Sequence, residues 1–267
     1  MLDTATINTI ARAYDAAEKD RHRIRPPSVQ YEGFAIEDAY AVQRRWVELK
    51  VARGNPVKGH KIGLTSRAMQ RQAGIEEPDY GALMADMFYG TGSEIPMSRF
   101  LQPRLECELG FVIGRRLKGP GCTIFDVLSA TDYITPACEI VDGRTHRVDP
   151  DTGKPRSVLD SIADNAGNAA LIIGGRPIKP MDVDLRWVSV LCHRNNVIEE
   201  TGVAAAVLNH PANGVAWLAN KLAPFDIALE PGDFVLGGSF TGMVEARAGD
   251  MFHVDYGPLG SISARFV

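Results

Sequence analysis

The segment Arg104-Leu-Glu-Cys-Glu-Leu-Gly-Phe-Val sets two carboxylates two positions apart in an otherwise apolar run. Side chains of a strand alternate between faces, so Glu106 and Glu108 share one face, about 6.6 Å apart along the backbone, while Cys107, Leu109 and Phe111 take the other. Carboxylates that close either raise a pKa or hold a cation, because a buried like-charged pair is costly when nothing compensates it. An exposed strand with two solvated glutamates is the plainer reading of any Glu-x-Glu. A third carboxylate shifts the balance, since Glu139 lies in Ile134-Thr-Pro-Ala-Cys-Glu-Ile-Val-Asp, an apolar run able to reach the same end of a neighbouring strand. Three carboxylates without a histidine or thiolate suit a hard, oxygen-seeking cation, magnesium or manganese, with octahedral positions left for water and substrate.

A second group is Lys58-Gly-His-Lys-Ile-Gly-Leu-Thr-Ser. Lys61 sits between glycines in a locally apolar stretch, where desolvation lowers an ammonium pKa and makes the group usable for proton transfer. A solvated lysine in a glycine turn is the equal alternative. Downstream, Glu77-Pro-Asp-Tyr-Gly places Asp79 directly after a proline, where a plain turn is also open. His60, His146, His193, His210 and His253 lack metal-ligand spacing to one another, and a lone histidine is more often structural.

These residues depend on two zones of different texture. From residue 2 to about 72 the pattern is helical, with Ile7, Ile10, Ala11 and Tyr14 on one stripe and Ala39, Val42, Trp46 and Leu49 on another. Pro26 and Pro27 separate them, Gly54 stops the second, and Thr65 is a candidate cap for a short helix. Beyond residue 80 short runs rich in Val, Ile, Leu and Phe predict strands near 105–114, 134–142, 168–175, 186–195, 233–240 and 251–257, with another at the end. Two helices, at 123–133 and 212–225, are expected to interrupt this zone. Strands without regular intervening helices argue against a doubly wound sheet. The expected division is a helical region over 1–75, able to act as a lid, and a β-rich catalytic core over 76–267, with the site at their junction.

Composition narrows the partners. With 267 residues, 45% hydrophobic and 23% charged, the chain can bury a real core. A net charge of -4 disfavours nucleic acid and anionic membranes, and no run is long and apolar enough for a membrane helix. Cys107, Cys122, Cys138 and Cys192 show neither zinc spacing nor disulfide density, which points to a reducing, cytoplasmic setting. GxGxxG and GxxxxGK[ST] are absent.

KGHKIGLTS, EPDYGAL, RLECELGFV, DSIADNAGNAA, TGVAAAVLNHPANGVAWLANKL, LGGSFTG and FHVDYGPLGSIS follow one another in this order. The ordered set, which runs over nearly the whole chain, resembles the hydratase/decarboxylase branch of the fumarylacetoacetate hydrolase superfamily. The resemblance implies an α+β fold, a mixed β-roll core with an N-terminal helical region. It implies a divalent metal on Glu106, Glu108 and Glu139, catalytic roles for Lys61 and Asp79, and substrate contacts from Ser161 and Ser239. The lysine that hydrolase members carry after the third metal ligand has no counterpart after Glu139, so C–C hydrolysis is not expected. The implied activity is hydration of a small 2-oxo acid, 2-oxohept-4-ene-1,7-dioate, by a homo-oligomer. Decarboxylation of 4-oxalocrotonate, hydration of 2-keto-4-pentenoate, or a non-catalytic subunit of a complex are the alternatives. A 2-oxo acid chelates magnesium through a carboxylate oxygen and its 2-oxo oxygen, so an enolate formed at C3 or C5 is stabilised and water then adds at C4. Which group reads the distal carboxylate is left open among Arg21, Arg23, Arg25, Arg144, Arg147 and Arg156.

Overall fold

The computed structural model describes residues 1–267. The chain opens with α1 (Thr4–Asp20), α2 (Pro27–Gln30) and α3 (Ile36–Ala52). Asp3 caps α1 by accepting from the Thr6 N–H, and the stripe Ile7, Ile10, Ala11, Tyr14 and Ala17 is its buried face. Ala39, Val42 and Trp46 are the matching face of α3. Then come β1 (Val57–Gly63), α4 (Arg67–Ala73), β2 (Asp79–Met84), β3 (Phe88–Gly90), β4 (Glu94–Ile95), β5 (Arg104–Ile113), α5 (Ile124–Ala130) and β6 (Thr131–Val141). The rest is α6 (Val158–Ala163), β7 (Asn168–Ile173), β8 (Ser189–Arg194), β9 (Val197–Val203), α7 (Pro211–Leu222), β10 (Phe234–Leu236), β11 (Val244–Glu245), β12 (Met251–Asp255) and β13 (Ser261–Phe266).

Two sheets result. The larger has eight strands in the order β2-β1-β10-β5-β6-β7-β3, with β11 also on β5; the smaller has five, β4-β13-β12-β8-β9. Mixed sheets with helices set beside them make this an α+β fold of the expected kind. A main core of 54 buried residues draws on α1, α3, α7 and both sheets. Each fully buried Leu, Ile or Phe in it contributes about 1.5–3 kcal/mol. Cys107, Cys138 and Cys192 are buried free thiols that pack as small hydrophobes. No helix is long and apolar enough to cross a membrane.

Three local expectations need correction. Residues 57–63 are not part of a helical pattern: they form β1, parallel to β10 and antiparallel to β2, inside the larger sheet. Its one-face residues Gly59, Lys61 and Gly63 give no hydrophobic alternation, so the strand is specified by its neighbours. The helix expected over 123–133 ends at Ala130, and β6 begins at once with Thr131. The cap of α4 is Ser66, which accepts from the Met69 N–H, one residue after Thr65.

Candidate active site

The β5–β6 ladder sets the geometry of the acidic residues. Glu106 stands opposite Glu139 and Glu108 opposite Ala137, so three carboxylates gather on one face of an antiparallel pair. One oxygen from each lies within 4.8 Å of the others. Glu108 and Glu139 are buried, and Glu106 opens into a cavity of about 770 Å³ that Lys61, Asp79, Ser161 and Ser239 also line. The structure therefore brings all seven sequence-predicted residues to one place: five on the cavity wall, two directly beside Glu106.

Glu108 and Glu139 are each held through one oxygen and left open at the other. Glu108 Oε2 accepts from the Gly238 N–H at 2.9 Å, and Glu139 Oε1 accepts from Asn168 Nδ2 at 2.8 Å. Lys61 Nζ lies 3.3 Å from the same Glu139 oxygen. Glu108 Oε1, Glu139 Oε2 and Asp79 Oδ1 are buried without a partner. Orphaned buried oxygens of this kind are expensive, and a small divalent cation is the compensation that this all-oxygen donor set fits.

The electrostatics agree. Burial, then the neighbouring Glu139, pushes the Glu106 carboxyl up to about 7. Burial, Glu139 and Glu106 push Glu108 well above the usual range. Burial pushes Asp79 up to about 6 against the pull of the Lys61 charge. For Lys61 the expectation of a lowered pKa is reversed: burial acts downward, but Glu139, Asp79, Glu106 and Glu108 together carry the ammonium above its ordinary value. Desolvation alone was the wrong guide because β1 sets this lysine among carboxylates.

Gly63 shows how tightly Lys61 and Asp79 converge. A Cβ there would stand 2.2 Å from Asp79 Oδ1 and 3.0 Å from Lys61 Nζ. Glycine leaves that space to the two functional groups. Ser161 comes from α6, whose capping box of Ser157 and Asp160 fixes its first turn. Ser239 follows β10, and its hydroxyl donates to the Thr241 carbonyl at 3.0 Å, within its own turn.

Two supporting residues escape sequence reasoning. Asn168, the one polar side chain opening the apolar run of β7, orients Glu139; its position in a strand was visible, its partner was not. Gly238 presents its N–H to Glu108 from a left-handed φ of 112°, a conformation that a Gly-Gly pair hints at.

Comparison with known proteins places this geometry. Residues 51–267 match the family model described as fumarylacetoacetate (FAA) hydrolase, C-terminal. The chain is 62% identical over 267 residues to 2-oxo-hept-4-ene-1,7-dioate hydratase of Escherichia coli, covering 100% of both. It is 38% identical to 4-oxalocrotonate decarboxylase of Pseudomonas sp. (strain CF600), covering 97% of this chain and 96% of that one. Among solved structures it resembles 4-oxalocrotonate decarboxylase from Pseudomonas putida G7, complexed with magnesium and adipate, with a TM-score of 0.94 and 36% identity over 100% of this chain and 99% of that one. A match over most of the chain, with relatives alike from end to end, carries one conclusion: the chain belongs to the fumarylacetoacetate hydrolase family.

Proposed function

We propose that this chain is a magnesium-dependent hydratase that adds water to 2-oxohept-4-ene-1,7-dioate, giving 4-hydroxy-2-oxoheptanedioate. The observation that carries the reading is the triad of carboxylates within 4.8 Å of one another beside Lys61 and Asp79. The 62% identity to a hydratase of that substrate supports it. Glu106, Glu108 and Glu139 would hold magnesium, or manganese in its place, and the bound cation supplies a Lewis acid for the carboxylate and 2-oxo oxygens of an incoming 2-oxo acid.

The remaining work falls to the chain's own groups. Asp79 Oδ1, unpartnered and with its carboxyl raised toward neutrality, takes a proton from C3 of the substrate. Lys61 Nζ, an ammonium beside Asp79, delivers a proton to C5, which moves the double bond into conjugation with the 2-oxo group. The neutral amine then accepts a proton from the water that adds at C4, and Asp79 returns its proton to C3. Both groups end as they began, and the net change is the addition of one water. Ser161 and Ser239 line the cavity where they contact the substrate.

A decarboxylase reading has support in the 38% identity to 4-oxalocrotonate decarboxylase, since the same groups can serve loss of CO2. One assay separates the two. Purified protein with magnesium is given 2-oxohept-4-ene-1,7-dioate and, separately, 4-oxalocrotonate, each followed by loss of dienol absorbance and by CO2 release. Absorbance loss without CO2 is expected; stoichiometric CO2 would replace the hydratase reading with the decarboxylase one.

A further inference from the structure

The charge of the cavity reverses along its wall. On the site's face of β5, read toward its start, Glu108 and Glu106 give way to Arg104. Opposite them, Glu139 is followed at alternate positions by Val141, Gly143, Thr145 and Arg147, all of which line the cavity. Arg104 stands opposite Val141 as Glu106 stands opposite Glu139, so both walls turn from acidic to basic in the same direction.

Two more arginines join the basic end. Arg23 precedes Ile24, which bridges to Thr145, and its Nη2 donates to Gln102 Oε1 at 3.2 Å. Arg156 donates its backbone N–H to the Arg147 carbonyl at 2.9 Å and its Nη1 to Thr145 Oγ1 at 3.2 Å. All four line the cavity, and none is ion-paired within the chain. Neighbouring arginines are paired: Arg25 with Asp149, and Arg144 with Asp164 and Glu18. Guanidinium groups left free on a cavity wall are recognition groups for a carboxylate.

We propose that this arginine wall is the subsite for the second carboxylate of a dicarboxylic substrate, with Arg156 as its principal contact. The inference rests on the hydratase reading above and adds what selects a seven-carbon dioate over a substrate that ends without a charge. Arg104 stands only two positions from Glu106, at the carboxylate end of the wall, and no side chain holds its guanidinium in place. Arg147 is exposed, where an ion pair contributes least. Arg23 is turned to Gln102. Arg156 is half-buried and fixed by Thr145, and a Cβ on Gly143 would stand 2.8 Å from its Nη1. Gly143 lies four positions from Glu139, at most about 13 Å along the chain. A guanidinium held there meets the distal end of the substrate.

The test compares kcat/KM for 2-oxohept-4-ene-1,7-dioate with that for 2-oxopent-4-enoate, which lacks the second carboxylate, in the unaltered protein, Arg156→Gln, Arg156→Lys and Arg104→Gln. The diacid-to-monoacid ratio should fall about 100-fold in Arg156→Gln, and less in Arg156→Lys and in Arg104→Gln. Calorimetric binding of 2-oxoheptanedioate, in the presence of magnesium, should weaken in the same order. Equal loss on both substrates, an unchanged ratio, or a larger shift in Arg104→Gln would overturn the assignment. Unaltered protein inert toward both substrates would sink the hydratase reading, whereas the calorimetric comparison would still decide the subsite.

Discussion

Glu108 has one oxygen on the Gly238 N–H and one with no partner, so a neutral amide of the same shape keeps the first contact and loses the charge. Glu108→Gln should therefore fold and yet lose magnesium-dependent turnover. The companion readout is thermal. Magnesium at a hundred times its Kd should stabilise the unaltered protein by about 2.7 kcal/mol, and the variant by far less. Equal stabilisation of both would show that this glutamate is not a ligand. Lys61→Ala addresses the other side of the site, where loss of a proton donor should cost about 100- to 10,000-fold in kcat. Magnesium affinity, read by calorimetry, should change little or rise, since a positive charge leaves; equal loss of both would mark Lys61 as structural. The glutamates were legible because Glu-x-Glu fixes a shared face from spacing alone. The charge state of Lys61 was not, because it depends on which strands flank β1, and no local pattern records that.

At the scale of elements, the site depends on β6 lying between β5 and β7. The pair Glu106 and Glu139 faces across β5–β6, while Asn168 on β7 reaches back to hold Glu139 Oε1. Such outer partners orient ligands, and their loss costs about 10- to 100-fold in metal affinity. Asn168→Ala should show that loss by magnesium titration with a smaller change in kcat at saturating metal. Unchanged affinity would mean that the sheet alone positions Glu139. The strand runs of β5, β6 and β7 were readable from their apolar length. Only tertiary pairing made β1 and β2 strands, because Gly59, Gly63 and Gly81 interrupt both with residues of low intrinsic β preference. The glycines make sense only in three dimensions: Gly63 clears room for Lys61 and Asp79, and a Cβ on Gly81 would stand 2.4 Å from the Asn165 carbonyl oxygen.

Across the whole molecule, a buried ionic chain ties the N-terminal helices to the wall of the cavity. Arg144 Nη1 meets Asp164 Oδ1 at 2.9 Å and Nη2 meets Glu18 Oε1 at 3.2 Å, while Lys50 of α3 pairs with the same Glu18 of α1. Arg144 also stacks over Trp46, 4.9 Å from its ring centroid. Asp164 is fully buried, and burial pushes its carboxyl up to about 6 even with Arg144 drawing it down. Arg144→Met keeps most of the packing and removes the charge, so Asp164 is left as an unpaired buried carboxylate, a change that costs about 3–5 kcal/mol when the group stays ionised. Without the guanidinium the folded-state pKa of Asp164 rises further above its unfolded value. A carboxyl shifted in that direction favours the folded state while it is protonated, and the benefit is lost as pH rises through the folded value. The variant's deficit in urea unfolding should therefore be large at pH 8 and clearly smaller at pH 5. A deficit equal at the two pH values would mean that lost packing against Trp46, not the stranded charge of Asp164, accounts for the instability.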